Sequence, residues 1–364
     1  MRKKLLQIFT VSLALVVALF CCFFPFSPLS LVWDGIVFPF WRDILAPDLR
    51  PVSLPQPKLL QASLPEGSHT LYWSPDAASL FVLGTYWEVG KADPDNFLLS
   101  LDSETGEILE NSRFSNDFDI EAAYHLESTQ YYSEQDQTIW AVCPEKDLKI
   151  SGSELPGNVW KIELWQSDIV IGTFQIFSDQ WSGSLPPYLG GFIFSPTCEY
   201  FAVTLTGWIY YEGDGQAELW LLHIPTQSFT QTLKGWWPIS RTWDYPTQDV
   251  TPSWSPDGNE FVFGDSNFGL EIYNVNTHER RWLAGAKQSG YAPLWSPSGH
   301  WIAVDQHSYS VAMISADSRS IDYVGGCHHL HDKVWAPADD RLAFLCSDDY
   351  GGKAKLWLWA IPSE

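Results

Sequence analysis

The feature that most restricts this chain is a short turn signature that returns along its length. Tyr72-Trp73-Ser74-Pro75-Asp76 is followed by the apolar run Leu80-Phe81-Val82-Leu83. Phe194-Ser195-Pro196 leads to Tyr200-Phe201-Ala202-Val203, and Trp254-Ser255-Pro256-Asp257-Gly258 to Phe261-Val262-Phe263. Trp295-Ser296-Pro297-Ser298-Gly299 leads to Trp301-Ile302-Ala303-Val304, and Trp335-Ala336-Pro337 to Leu342-Ala343-Phe344-Leu345. The prolines fall at 75, 196, 256, 297 and 337, so the gaps are 121, 60, 41 and 40 residues. The two short gaps match the period of four-stranded repeat units. The gap of 121 has room for a degenerate copy, whose four strands are read at Ile120–Leu126, Thr138–Val142, Val159–Trp165 and Ile169–Phe177.

Each part of the repeat has a physical task. Proline presets φ for a tight turn, and Asp-Gly or Ser-Gly supplies the left-handed position that closes a hairpin. The aromatic residue ends the first strand and packs toward a neighbouring unit. The near-continuous apolar run after the turn suits a strand covered on both faces. Third strands follow at Phe97–Leu101, Leu219–Ile224, Leu270–Val275, Ser310–Ile314 and Lys355–Ile361. The 20 Trp, 15 Tyr and 21 Phe fit pleated, half-buried strands better than helices. The expectation is an all-β six-bladed β-propeller over 51–364, with seven blades as the alternative count. Its last copy lacks a fourth strand, and Val52–Leu64 is expected to supply it at an outer position that tolerates Pro55 and Pro57. The Trp-Ser-Pro-Asp-Gly turn with its Ile-Ala-Val-like run resembles the TolB-type, WD-repeat-like propeller, also found beside the hydrolase domain of prolyl oligopeptidases. The resemblance covers most of 70–364. It implies a rigid disc acting mainly through protein contacts, and it is silent on chemistry.

The N-terminus reads as a targeting segment. Arg2, Lys3 and Lys4 precede the mostly apolar Leu5–Phe24, and no further charge occurs until Asp34. Twenty helical residues span about 30 Å, one hydrocarbon core. The basic flank puts residue 1 in the cytoplasm and the remainder outside. Residues 1–33 are therefore expected to be an uncleaved anchor, with a cleaved signal as the alternative, and 34–50 a juxtamembrane linker. Phe20 before Cys21 speaks against a lipoprotein signal. The three basic and no acidic residues of 1–33 leave 18 basic against 44 acidic residues, a net of −26. Such a surface repels nucleic acid and anionic lipid.

No Gly-x-Ser-x-Gly elbow, His-Glu-x-x-His helix or phosphate-binding loop occurs. Candidate binding residues lie between second and third strands: Trp87 and Glu88; Trp208 and Tyr211; Asp265; His307; Asp348 and Asp349. Aromatics interleaved with carboxylates suit a partner's basic loop, a carbohydrate or a small cationic ligand. Cys327-His328-His329-Leu330-His331-Asp332 has two readings. Imidazoles and a thiolate suit a divalent metal held by His328, His329 and His331. Alternatively, Cys327 pairs with Cys346 at the end of the sixth blade's second strand, and the loop is ordinary. Cys143 is read as the end of a second strand and Cys198 as a turn on the opposite face, so neither is expected to pair. No other cofactor is expected. The leading reading is a non-catalytic, membrane-anchored extracytoplasmic binding scaffold. The alternative is an enzyme or metal or ligand sensor using polar loops at the channel mouth.

Overall fold

In a computed structural model of the chain, every copy of the turn signature closes an antiparallel hairpin. Residues 49–86, 95–114, 130–133, 138–157, 159–177, 188–206, 217–236, 252–265, 269–284, 290–306, 310–324, 329–337, 341–348 and 352–361 are described. The expected anchor lies outside them, and among the described residues no helix is long and apolar enough to cross a membrane. Pro47–Glu364 forms one compact unit.

The chain enters through two short strands, β1 (Arg50–Pro51) and β2 (Lys58–Gln61). Sheet one then runs β3 (Ser68–Trp73), β4 (Ser79–Tyr86), β5 (Asp95–Asp102), β6 (Ile108–Phe114). Sheet two runs β7 (Gln130–Ser133), β8 (Thr138–Cys143), β9 (Leu148–Leu155), β10 (Val159–Gln166), β11 (Ile169–Phe177). Sheet three holds β12 (Tyr188–Phe194), β13 (Tyr200–Thr206), β14 (Ala217–His223), β15 (Ser228–Trp236). Sheet four holds β16 (Ser253–Trp254), β17 (Glu260–Asp265), β18 (Gly269–Asn274), β19 (Arg280–Ala284). Sheet five holds β20 (Gly290–Trp295), β21 (Trp301–Gln306), β22 (Ser310–Ser315), β23 (Ser320–Val324). Sheet six holds β24 (His329–Trp335), β25 (Arg341–Ser347) and β26 (Lys355–Ala360), completed by β2, which pairs antiparallel with β26. The entering segment thus supplies the strand the last repeat lacks. β1 adds a parallel fifth strand beside β23.

The turn chemistry explains why so different a set of residues gives one hairpin. The backbone N–H of Ser74, Ser195, Ser255 and Ser296 donates to the carbonyl five residues on, at 2.8–2.9 Å. Each serine Oγ accepts the N–H of that same residue, at 2.8, 3.1, 2.9 and 3.1 Å respectively. Where aspartate follows proline, its carboxylate accepts the serine hydroxyl at 2.6 Å in both turns. The fourth residue takes positive φ in all four turns: Ala77, Cys198, Gly258 and Gly299.

The core is laid down between successive sheets. One apolar cluster joins sheet one to sheet six, around Trp73, Leu80, Val82, Ala343 and Leu345. Others join six to five, five to four, four to three and three to two. The entering segment crosses three of these seams: Leu49 packs between sheets four and five, Val52 and Leu54 between five and six, and Leu60 and Leu64 between six and one.

Sheet two departs from the reading made of it. Leu148–Leu155 is a strand not foreseen there, and Ile120–Leu126, placed as the first strand, lies outside the described residues. Cys143 and Cys198 form a disulfide, so the end of β8 meets the turn after β12. β8 therefore runs as β12 does, and holds in sheet two the place of a first strand rather than a second. Cys143-Pro144 stands where Ser-Pro stands elsewhere, its turn lengthened to Asp147 at φ 51°. β7 is an added strand on the side of β8 away from β9.

Candidate functional site

The repeated turns abut from sheet to sheet. The disulfide joins those of sheets two and three. A Cβ on Gly258 would lie 2.8 Å from Thr197 Oγ1, and one on Gly299 would lie 3.7 Å from Pro256 Cδ. Arg341 Nη2 donates to Ala77 O at 3.2 Å and its guanidinium lies 5.0 Å from the Trp73 ring centroid, across the seam of sheets six and one. Trp73 Nε1 donates to Val334 O and Trp335 Nε1 to Leu294 O, so each indole grips the residue before the matching indole of the previous sheet. These turns lie at one end of the sheets. No connection there exceeds five residues, whereas at the other end 237–252 alone spans sixteen.

The candidate binding residues follow second strands in the sequence. Trp87 and Glu88 lie between β4 and β5, Trp208 and Tyr211 between β13 and β14, His307 between β21 and β22, and Asp349 between β25 and β26. All six lie outside the described residues, as do His328 and Cys327. Asp265 ends β17. Asp348 is exposed and accepts Lys355 Nζ through both carboxylate oxygens, at 2.8 and 2.6 Å. His329 and His331 are in β24, not in a loop. Among the described residues no group of three His, Cys, Asp or Glu is placed to hold a metal ion. Cys346 is disulfide-bonded to a partner outside the described residues. It stands opposite Leu330 on β24.

Toward the end opposite the tight turns, the first and second strands of sheets five, six and one carry several polar side chains in separate contacts. Lys333 Nζ lies 2.6 Å from Asp305 Oδ1, both side chains less than a tenth exposed, joining β24 to β21. Asp332, next to Lys333, accepts the Leu71 N–H across the seam at 2.7 Å and the Lys333 N–H at 2.8 Å. Burial of its carboxyl outweighs these bonds and pushes its pKa up to about 6. His331 Nε2 is 3.0 Å from Ser347 Oγ. His69, counted back from Trp73, holds on β3 the place that His331 holds on β24 counted back from Trp335. Its two ring nitrogens meet Thr70 Oγ1 and Thr85 Oγ1 at 2.7 and 3.1 Å, and burial holds the imidazole below its ordinary value. Lys333 and His69 gave no signal in the sequence as functional residues. Counting positions back from each strand-ending tryptophan would have exposed the His69–His331 equivalence.

No family model matches the chain, and no curated protein matches it.

Proposed function

We propose that this chain is a six-bladed β-propeller of the TolB-like kind, tethered by its N-terminal segment to the outer face of a membrane, and that it works by binding rather than by chemistry. The observation that carries the reading is the sequence of seams. Sheet one packs on six, six on five, and so on to two, while the first and last sheets share a strand-completing segment. A ring of this kind leaves one end rigid and offers the other, with its longer connections, to a partner. The disulfides at Cys143–Cys198 and Cys346 favour an oxidising, extracytoplasmic location. Trp87, Glu88, Trp208, Tyr211 and His307 are the proposed contacts, with Asp265, Asp348 and Asp349 as acidic neighbours for a basic partner surface.

A photoreactive residue placed at Trp87 or Trp208 in the native membrane is expected to cross-link a protein. The same residue at exposed Asp76, at the tight-turn end, is expected to give none. Equal products from both ends, or none from either, would sink the assignment. A second reading is supported by the buried Asp305–Lys333 pair and the neighbouring Asp332: a small-ligand sensor at the channel mouth. Calorimetry with amines, sugars and divalent ions would favour it if binding vanished in Asp332→Asn.

A further inference from the structure

Outer strands of open sheets invite pairing with other chains, and most proteins blunt them with charge, proline or a short strand. Five of the six sheets here are blunted. β6 carries Glu110 and Arg113, β15 carries Lys234, and β19 begins Arg280-Arg281. β23 is covered by the two-residue β1 with its Arg50 and Pro51, and sheet six ends in β2 with Lys58, a bulge and two preceding prolines. β11 is the exception. Its nine residues, Ile-Val-Ile-Gly-Thr-Phe-Gln-Ile-Phe, contain no charge and no proline. It is also where exposed apolar side chains collect: Ile169 is 66% exposed, Phe177 57%, Val170 38% and Ile171 37%.

We infer that the free edge of β11 pairs antiparallel with β11 of a second copy of this chain, extending two five-stranded sheets into one ten-stranded sheet across a two-fold axis. Charge selects this occupant. The chain is strongly acidic, with a net of −23, so copies repel one another except where a surface is neutral. β11 is such a surface, and its neighbouring charges are already paired: Lys149 with Asp168 and Lys161 with Glu163. Among the described residues, the cations beside β11, Lys149 and Lys161, already have carboxylate partners in place of anionic lipid. A strand edge is self-complementary under a two-fold axis, since each copy offers the same alternating donors and acceptors. The bulge at Leu164/Trp165 and the Gln227 side chain, which donates to Ile171 O, occupy only the first third of the strand. Gly172–Phe177 pairs regularly with β10 and, among the described residues, has no strand on its other edge, with Thr173, Gln175 and Phe177 exposed. Nine residues a side fall short of the roughly 20–30 of a standard interface, so the expected affinity is on the order of micromolar.

Sedimentation velocity on the full chain in detergent tests this. The expected result is a concentration-dependent dimer whose dissociation constant rises at least tenfold in both Thr173→Lys and Gln175→Pro, with thermal unfolding of Thr173→Lys unchanged. Lysine at an exposed edge position opposes its own copy across the axis without touching the core. A chain that stays monomeric up to about ten times the expected constant overturns the inference, and so does a dimer that both variants leave intact.

Discussion

Single residues decide whether the tight-turn end holds together. Gly258 and Gly299 both take left-handed φ, at 70° and 80°, so alanine at either carries a conformational cost of about 1–2 kcal/mol. Only at Gly258 would the new methyl press on a neighbouring sheet's turn. Gly258→Ala is therefore expected to destabilise more than Gly299→Ala, a ranking that urea unfolding of both variants reads directly. Asp332 makes a second prediction, and its sign follows from proton counting. The folded chain keeps the carboxyl proton up to about pH 6, whereas an unfolded aspartate releases it near the ordinary value of 3.8. Between those values folding takes up a proton, so this group's contribution to stability falls as pH rises and stays low above 6. Relative to Asp332→Asn, the wild type is expected to lose on the order of 2 kcal/mol between pH 4 and pH 7, measured as the difference between two denaturation series. A flat difference would mean that Lys333 keeps the carboxylate charged throughout.

Among the elements, the entering segment is the one whose removal costs most for its length. Leu49, Val52, Leu54, Leu60 and Leu64 lie along three seams. A chain beginning at residue 66 would leave the β26 edge unpaired and strip apolar cover from all three, whereas one beginning at 47 keeps these five side chains and β2. Cooperative thermal unfolding is expected to survive in the second and to vanish in the first. This element was legible in the sequence: the last repeat ran out before its fourth strand, and Pro55 and Pro57 confined the donor to an outer edge. Sheet two was not legible, for a definite reason. Its turn carries cysteine for serine and is one residue longer, so Val142-Cys143-Pro144 does not show the Trp-Ser-Pro signature. Without that turn Thr138–Val142 reads as a second strand instead of a first, which puts Cys143 and Cys198 at opposite ends and hides their bond, while the third and fourth strands fall where expected. The candidate binding residues between second and third strands could be grouped by topology alone. Lys333 and Asp305 could not, because only the packing of sheet six on sheet five brings them within 2.6 Å.

For the whole molecule, the disulfide and the seams act on the same problem. A succession of small sheets has no single hydrophobic centre, so its stability depends on the seams between neighbouring sheets, and the seam between sheets two and three has a covalent clamp. The two cysteines are 55 residues apart. Cross-linking a loop of that length lowers the entropy of the unfolded chain by the equivalent of about 4 kcal/mol. That is a large share of the 5–15 kcal/mol by which domains usually exceed their unfolded state. The chain made in an oxidising compartment is therefore expected to melt well above the same chain made in a reducing one. Cys143→Ser with Cys198→Ser should bring the oxidised protein most of the way down to the reduced one. Any remaining gap belongs to the bond at Cys346, and peptide mapping would show whether Cys327 is its partner. Equal melting of the oxidised and reduced chains would mean that the seams suffice alone, and would remove the strongest physical reason for placing this protein outside the cytoplasm.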